Sequence, residues 1–137
     1  MTTAWAHLPN AAHIDRVLAS LAATPKAWTA AWDAARDAAW DAAWGAAWGA
    51  ALDAARGAAW GAARGAARDA AWTPARSAAW TPARSAIAAL IAWDDCGVFL
   101  DMPSDAVRLV AASGHHPAIL LLPAAIVFSK PSVSNHN

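Results

Sequence analysis

The 137-residue chain has one cysteine, no tyrosine, and neither glutamate nor glutamine. The lone Cys96 excludes an internal disulfide framework and a cysteine-based zinc cluster, and it fits a reducing compartment. Because 10 basic residues balance 10 acidic ones, the chain is neither a strongly basic nucleic-acid tail nor a self-repelling acidic segment. With 58% hydrophobic residues, we expect it to collapse around one core.

The sequence also lacks a convincing targeting or membrane segment. Its first residues show no basic region followed by an apolar run. The uncharged stretch 109–129 is nominally long enough to span a bilayer, but glycine, histidine and proline interrupt it. Its compact apolar part, 118–128, is far shorter than the roughly 20 residues that a spanning helix needs. We therefore interpret this stretch as core and expect no membrane partner.

A four-residue repeat dominates the chain from Trp28 to Ser85. The unit is Ala-Ala-Trp/Arg-Asp/Gly, and the octapeptide Ala-Trp-Thr-Pro-Ala-Arg-Ser-Ala occurs at 71–78 and again at 79–86. Alanine is the strongest helix former, and nothing in the chain alternates with a period of two, so the repeat predicts helix. Trp and Arg codons can differ by one base, as can Asp and Gly codons. Expansion of a DNA repeat therefore accounts for the pattern without selection on each residue.

The period of four constrains how the repeat packs. Each unit rotates the Trp/Arg position by about 40° around a helix, so no fixed partner face covers the whole stripe. One straight helix from Pro25 to Trp72 would be about 70 Å long, whereas a compact chain of this length has a radius of gyration of about 14 Å. We therefore predict a fold-back within Gly45–Gly65, where the glycines weaken the helix.

Capping residues predict the helices on the N-terminal side. Asn10 is expected to cap a helix that runs to about Ala23. Thr24-Pro25 fits the N-cap and first residue of the repeat helix. Thr73-Pro74 and Thr81-Pro82 repeat that pattern and predict restarts or kinks.

The C-terminal side predicts shorter, more apolar helices. Ser104 is expected to cap a helix ending near Gly114, and Pro117 opens a last apolar segment that is interrupted at Pro123. The expected aliphatic core joins both sides of the repeat. It comprises Ile14, Leu18, Leu21, Leu90, Ile91, Trp93, Leu109, Val110, Ile119, Leu120, Leu121, Ile126 and Val127.

Together these patterns predict an all-α fold, a helical bundle built around an Ala/Trp/Arg-rich tetrapeptide-repeat helix that is folded back on itself. We expect a single domain over 1–137. It divides into an N-terminal cap helix (1–24), the repeat region (25–86), apolar C-terminal helices (87–129) and a frayed tail (130–137).

The second half of the repeat is the candidate nucleic-acid face. Arginines that bind phosphates and tryptophans that stack on bases are the combination that single-stranded nucleic acids require. The face consists of Arg56, Arg64, Arg68, Arg76, Arg84, Trp60, Trp72 and Trp80. In the alternative interpretation, the tryptophans form core and the arginines cover its rim. The rotation of the repeat also spreads these arginines around the helix.

No catalytic or metal site is predicted. One acidic and histidine-containing region comprises Asp94, Asp95, Asp101, Asp105, His115 and His116. Its spacings match neither zinc nor calcium sites. Without glutamate, a glycine-rich phosphate loop or a serine elbow, acid–base catalysis is not expected. Cys96 fits a buried small hydrophobe. We therefore expect a non-enzyme with no cofactor, and no small-molecule substrate is evident.

Three segments carry a resemblance. They are His7-Leu-Pro-Asn-Ala-Ala-His-Ile-Asp-Arg-Val-Leu18, the Ala-Ala-Trp-Asp-Ala-Ala-Arg-Asp repeat, and Leu90-Ile-Ala-Trp-Asp-Asp-Cys-Gly97 followed by Ala118-Ile-Leu-Leu-Leu-Pro-Ala124. In this order they resemble a family of small uncharacterised proteins from tailed phages and prophages. The resemblance implies a cytoplasmic setting in a bacterial host and an accessory role, and it carries no activity or functional residues.

Three hypotheses for function follow. The first is a non-enzymatic helical interaction or scaffold protein whose flanks are its specific part, with a host protein, a phage protein or a second copy as partner. The second is nucleic-acid binding through the Arg/Trp face. The third is an immunity-type or anti-defence inhibitor that occludes an enzyme, because alanine-rich repeats also occur in immunity proteins of toxin systems.

Overall fold

A computed structural model describes residues 5–55, 60–65 and 79–129, and every regular element in these ranges is helical. The helices are α1 (Ala11–Ala23), α2 (Pro25–Ala35), α3 (Ala38–Ala54), α4 (Trp80–Ala92), a 3-10 helix (Cys96–Asp101), α5 (Ser104–Ala112) and α6 (His116–Phe128). Residues 60–65 are also helical. The prediction of an all-α bundle is confirmed.

Helix α6 lies at the centre of the bundle. It packs against α2, α3, α4, α5 and the 3-10 helix, and Ala118–Ala125 are all buried. A helix covered on every side needs apolar residues on every side, which explains why this segment shows no amphipathic period. Within the described ranges, no helix is both long and apolar enough to cross a membrane.

The predicted interruption at Pro123 is wrong, because α6 continues through this residue. Proline has no N–H, so the carbonyl of Ile119, four residues earlier, loses its helical partner. The buried indole of Trp40 replaces that partner and donates a hydrogen bond of 3.1 Å to the Ile119 carbonyl. The helix therefore continues because a neighbouring helix supplies the missing donor.

The repeat first breaks at Arg36 and Asp37, ahead of the predicted window. Asp37 is extended (φ −146°, ψ 173°), and its carboxylate accepts a 2.8 Å hydrogen bond from the backbone N–H of Trp40. This side-chain bond is an N-cap, which starts α3. Gly45 and Gly49 lie inside α3 without breaking it. The first break is therefore set by a repeat aspartate that caps a new helix, and not by glycine.

The repeat does not continue as one straight helix after α3, as predicted. The rings of Trp48 and Trp60 lie 6.0 Å apart, whereas an unbroken helix would separate positions 12 residues apart by about 18 Å. Helix α3 ends at Ala54, inside the Gly45–Gly65 window, so the fold-back is confirmed. Helix α4 then packs along α3 and α6.

Most of the predicted aliphatic core is observed. Ile14, Leu21, Leu90, Ile119, Leu120 and Leu121 are at most 1% exposed, and Leu18, Ile91, Trp93, Val110, Ile126 and Val127 pack against them partly buried. Leu109 is the exception at 75% exposed. Helix α5 buries Val107 and Ala111. Leu109 is about 200° around the helix from Val107 and therefore points away from the core.

The predicted helix starts are close to those observed. Thr24-Pro25 is the N-cap and first residue of α2, although the Thr24 hydroxyl donates to the Ser20 carbonyl instead of capping. Thr81-Pro82 lies in the first turn of α4, where a missing N–H costs little. Ser104 is the first residue of α5, and Pro103 occupies the cap position. Thr73-Pro74 and the tail 130–137 lie outside the described residues.

Candidate functional site

The two segments that flank the repeat meet at the end of α4. Asn10 is buried, and its Nδ2 donates 3.0 Å hydrogen bonds to the backbone carbonyls of Leu90 and Trp93. Carbonyls at the end of a helix lack intrahelical donors. Asn10 therefore caps the C-terminus of α4. The prediction that its side chain caps α1 is wrong, since Asn10 sits at that N-cap position without a capping hydrogen bond.

Gly97 lets the 3-10 helix approach α1 closely. A Cβ on Gly97 would lie 2.5 Å from Cδ2 of His13 and 2.8 Å from Oδ1 of Asn10, both shorter than real Cβ contacts. We call the group formed by Asn10, His13, Leu90, Trp93 and Gly97, together with the exposed Asp94, Asp95 and Val98 beside it, the flank junction. It joins segments that are 80 or more residues apart in the sequence.

Exposed residues lie next to the buried part of the flank junction. Val98, next to Gly97, is 58% exposed, and Asp94 and Asp95 are exposed in the turn before it. A 2.9 Å ion pair between Arg16 and Asp101 links α1 to the far end of the same 3-10 helix. The junction thus holds an apolar side chain and two carboxylates on one short segment of surface.

The repeat tryptophans contact one another. Trp32 meets the edges of Trp40 and Trp44 at 5.0 and 5.5 Å, Trp44 stacks parallel on Trp48 at 5.5 Å, and Trp48 meets Trp60 at 6.0 Å. We call these five rings the tryptophan chain. Because the repeat is interrupted between Ala35 and Ala38 and α3 ends at Ala54, ring positions that would rotate apart along one straight helix come into contact. Edge and offset-stacked contacts of this kind stabilise aromatic cores.

The structure describes half of the predicted nucleic-acid face, namely Arg64, Arg84, Trp60 and Trp80. Arg56, Arg68, Arg76 and Trp72 lie outside the described residues. The Arg84 guanidinium lies over the Trp48 ring, 4.6 Å from its centroid. Trp60 contacts the same ring, whereas Trp80 is half-buried at the start of α4.

Arg84 is unusual among the described arginines. Burial, and then the nearby positive charge of Arg64, lower its pKa below the ordinary value. Its Nε is buried without a hydrogen-bond partner. Arg64 itself is exposed. The exposed Arg64 thus acts electrostatically on Arg84, while Trp44 and Arg84 already cover the Trp48 ring.

Cys96 is a buried thiol, as predicted. It is 1% exposed, and its Sγ lies 3.3 Å from the Ala89 carbonyl, to which the thiol donates. Burial, followed by the negative charges of Asp95 and Asp94, raises its pKa to about 12. A thiol that stays protonated at neutral pH is a poor nucleophile. Within the described residues, no group of three His, Cys or Asp side chains is arranged to hold a metal ion.

Comparisons of the chain with protein-family models, curated proteins and solved structures found no match.

Proposed function

We propose that the protein is a non-enzymatic accessory module of a phage or prophage that acts through protein–protein interaction. The flank junction is the specific part. The observation that carries this proposal is the convergence of Asn10, His13 and Gly97 into a fixed unit that ends in the exposed Val98. Residues outside the repeat thus build a defined surface, and partner proteins are bound at such surfaces by an apolar contact with a polar rim.

The repeat serves as the scaffold in this proposal. The rings of the tryptophan chain pack against one another, so their mutual contacts stabilise the bundle, while Trp32, Trp44, Trp48 and Trp60 remain half-buried. Alanines such as Ala46 occupy much of the outer surface of α3 and offer no large side chain to a partner. The repeat therefore sets the spacing and orientation of the two flanks.

A charge placed in the junction tests the proposal. Val98→Asp adds a carboxylate to the exposed apolar position, and Ala46→Asp adds the same charge on the exposed face of α3 as a matched control. In infected cells, we expect crosslinking followed by mass spectrometry to recover one partner with the wild type and Ala46→Asp, but not with Val98→Asp. Equal recovery by all three forms contradicts a role for the junction.

Self-association is the other form of this interaction. Light scattering across a concentration series gives the mass of the purified wild type and the same two variants. A dimer that Val98→Asp alone dissociates identifies a second copy as the partner. A monomer at every concentration leaves a different protein as the partner.

Nucleic-acid binding is the second candidate, and the proximity of Arg64 to Arg84 supports it. Binding that uses six phosphate contacts weakens by a factor of about 10³ between 50 and 200 mM salt. The exposed Arg64 is the residue to replace, because Arg84 also packs on Trp48. Arg64→Ala should weaken oligonucleotide binding and reduce its salt dependence. Absence of binding at low salt removes this candidate.

A further inference from the structure

A cavity of about 170 Å³ lies between α3, α5 and α6, away from the flank junction. Its apolar wall includes Trp40, Ala43, Ala111 and Leu122. Trp40 and Leu122 are buried, and the Trp40 indole is held by its hydrogen bond to the Ile119 carbonyl. A cavity of about 150 Å³ holds a benzene-sized molecule. The space therefore fits a branched aliphatic group.

Two opposite charges also line this cavity. Asp37 and Arg108 are both exposed, and each is positioned by one contact to the backbone. The Asp37 carboxylate accepts from the Trp40 N–H at 2.8 Å, and Nη2 of Arg108 donates to the Ala34 carbonyl at 3.2 Å. Each side chain is thus held near the cavity by a contact that does not use its full hydrogen-bonding capacity.

Neither charge is neutralised by the other. The ion pairs Arg16–Asp101 and Arg36–Asp41 involve neither residue, and no salt bridge joins Asp37 to Arg108 in the described part of the chain. A guanidinium has five N–H donors and a carboxylate has about four acceptor positions, so both retain capacity for a ligand. A carboxylate suits Arg108, an ammonium suits Asp37, and the apolar wall suits a side chain that branches from the atom carrying both charges.

We propose that this cavity binds a free α-amino acid with a branched aliphatic side chain. The ligand carboxylate lies on Arg108, its ammonium on Asp37, and its side chain against Trp40 and Leu122. This site goes beyond the proposed interaction function and depends on none of the junction residues.

Three ligands and two variants test the site by isothermal titration. L-Leucine carries both charges, leucinamide lacks the carboxylate, and 4-methylpentanoate lacks the ammonium. We expect leucine to bind with a dissociation constant of about 1 mM, and each analogue to bind about tenfold more weakly. Arg108→Gln should weaken leucine binding and leave leucinamide binding unchanged. Asp37→Asn should weaken leucine binding and leave 4-methylpentanoate binding unchanged.

Both charge variants are expected to keep the fold. Asparagine caps helices as well as aspartate does, so Asp37→Asn retains the start of α3. Circular dichroism melts check that both variants are folded. As a volume test, Ala43→Leu fills the cavity and should abolish binding of all three ligands. Absence of leucine binding at about 10 mM, or equal binding by the wild type and both charge variants, overturns the proposal.

Discussion

The indole Nε1 of Trp40 donates a hydrogen bond to the Ile119 carbonyl, the group that loses its helical donor because Pro123 follows four residues later. A repeat residue thus makes a proline tolerable in α6, where Ala118–Ala125 are all buried. We expect Trp40→Phe to lower the free energy of unfolding by about 1–3 kcal/mol for the unpaired carbonyl, in addition to the loss of packing.

A double-mutant cycle isolates this hydrogen bond. Pro123→Ala restores an N–H that can bond to Ile119, so Trp40→Phe should cost less in that background. We expect a coupling of about 0.5–3 kcal/mol in urea unfolding. Strict additivity of the two substitutions would show that the indole contributes through packing alone.

Gly97→Ala should destabilise the protein by about 1–3 kcal/mol, because its Cβ overlaps His13 and Asn10. His13→Ala in the same chain should restore only part of that loss. The His13 ring can be removed, but Oδ1 of Asn10 stays in place while Nδ2 bonds to two carbonyls. Thermal unfolding of the two single variants and the double variant measures how much stability His13→Ala restores. Complete rescue by His13→Ala would contradict a fixed Asn10.

Gly45→Ala and Gly49→Ala should each stabilise the protein by about 0.5–1 kcal/mol. Both glycines lie inside α3, where a Cβ would meet nothing within 4 Å. Gly114→Ala is the control. Gly114 has φ +92° in the turn after α5, so the added methyl strains the backbone and should destabilise. A loss of stability at Gly45 or Gly49 would indicate that these positions need glycine.

Two leucines from the predicted core should differ strongly in their contribution to the free energy of unfolding. Leu120 is fully buried in α6, so Leu120→Ala should lower the free energy of unfolding by about 2–5 kcal/mol. Leu109 is 75% exposed, so Leu109→Ala should change it by less than about 0.5 kcal/mol. Denaturant melts of both variants provide the comparison. A large loss at Leu109 in purified protein would indicate that a second copy covers it.

The Cys96 thiol should react slowly with a thiol reagent at pH 8 until the protein unfolds. Its folded pKa of about 12 lies above the ordinary thiol value of 9.0, so the unfolded chain loses this proton first as pH rises. The resulting stability is complete below about pH 9 and falls as pH rises toward 12. Cys96→Ala should remove the part of the stability loss at alkaline pH that comes from this thiol. Rapid labelling of the native protein would contradict the burial of the thiol.

Composition and local pattern determined much of the fold. Alanine at two of every four positions predicts helix for the repeat, and proline after threonine correctly places the start of α2. The absence of charge from 118 to 128 correctly predicts that most of this segment is buried. The rotation of about 40° per unit is a property of helical geometry, so the need for a fold-back also followed from the sequence.

Only the tertiary structure decided which polar groups are satisfied and where the helices break. Asn10 is a residue type that commonly caps helix N-termini. Its side chain instead donates to the carbonyls of Leu90 and Trp93, which only folding brings near it. A proline such as Pro123 is expected to interrupt a helix. The helix continues here because the Trp40 indole, in α3, donates a hydrogen bond to the Ile119 carbonyl. The candidate cavity likewise depends on the approach of Asp37 and Arg108 from two helices. Contacts between distant segments set these outcomes, and no local window of sequence contains both partners.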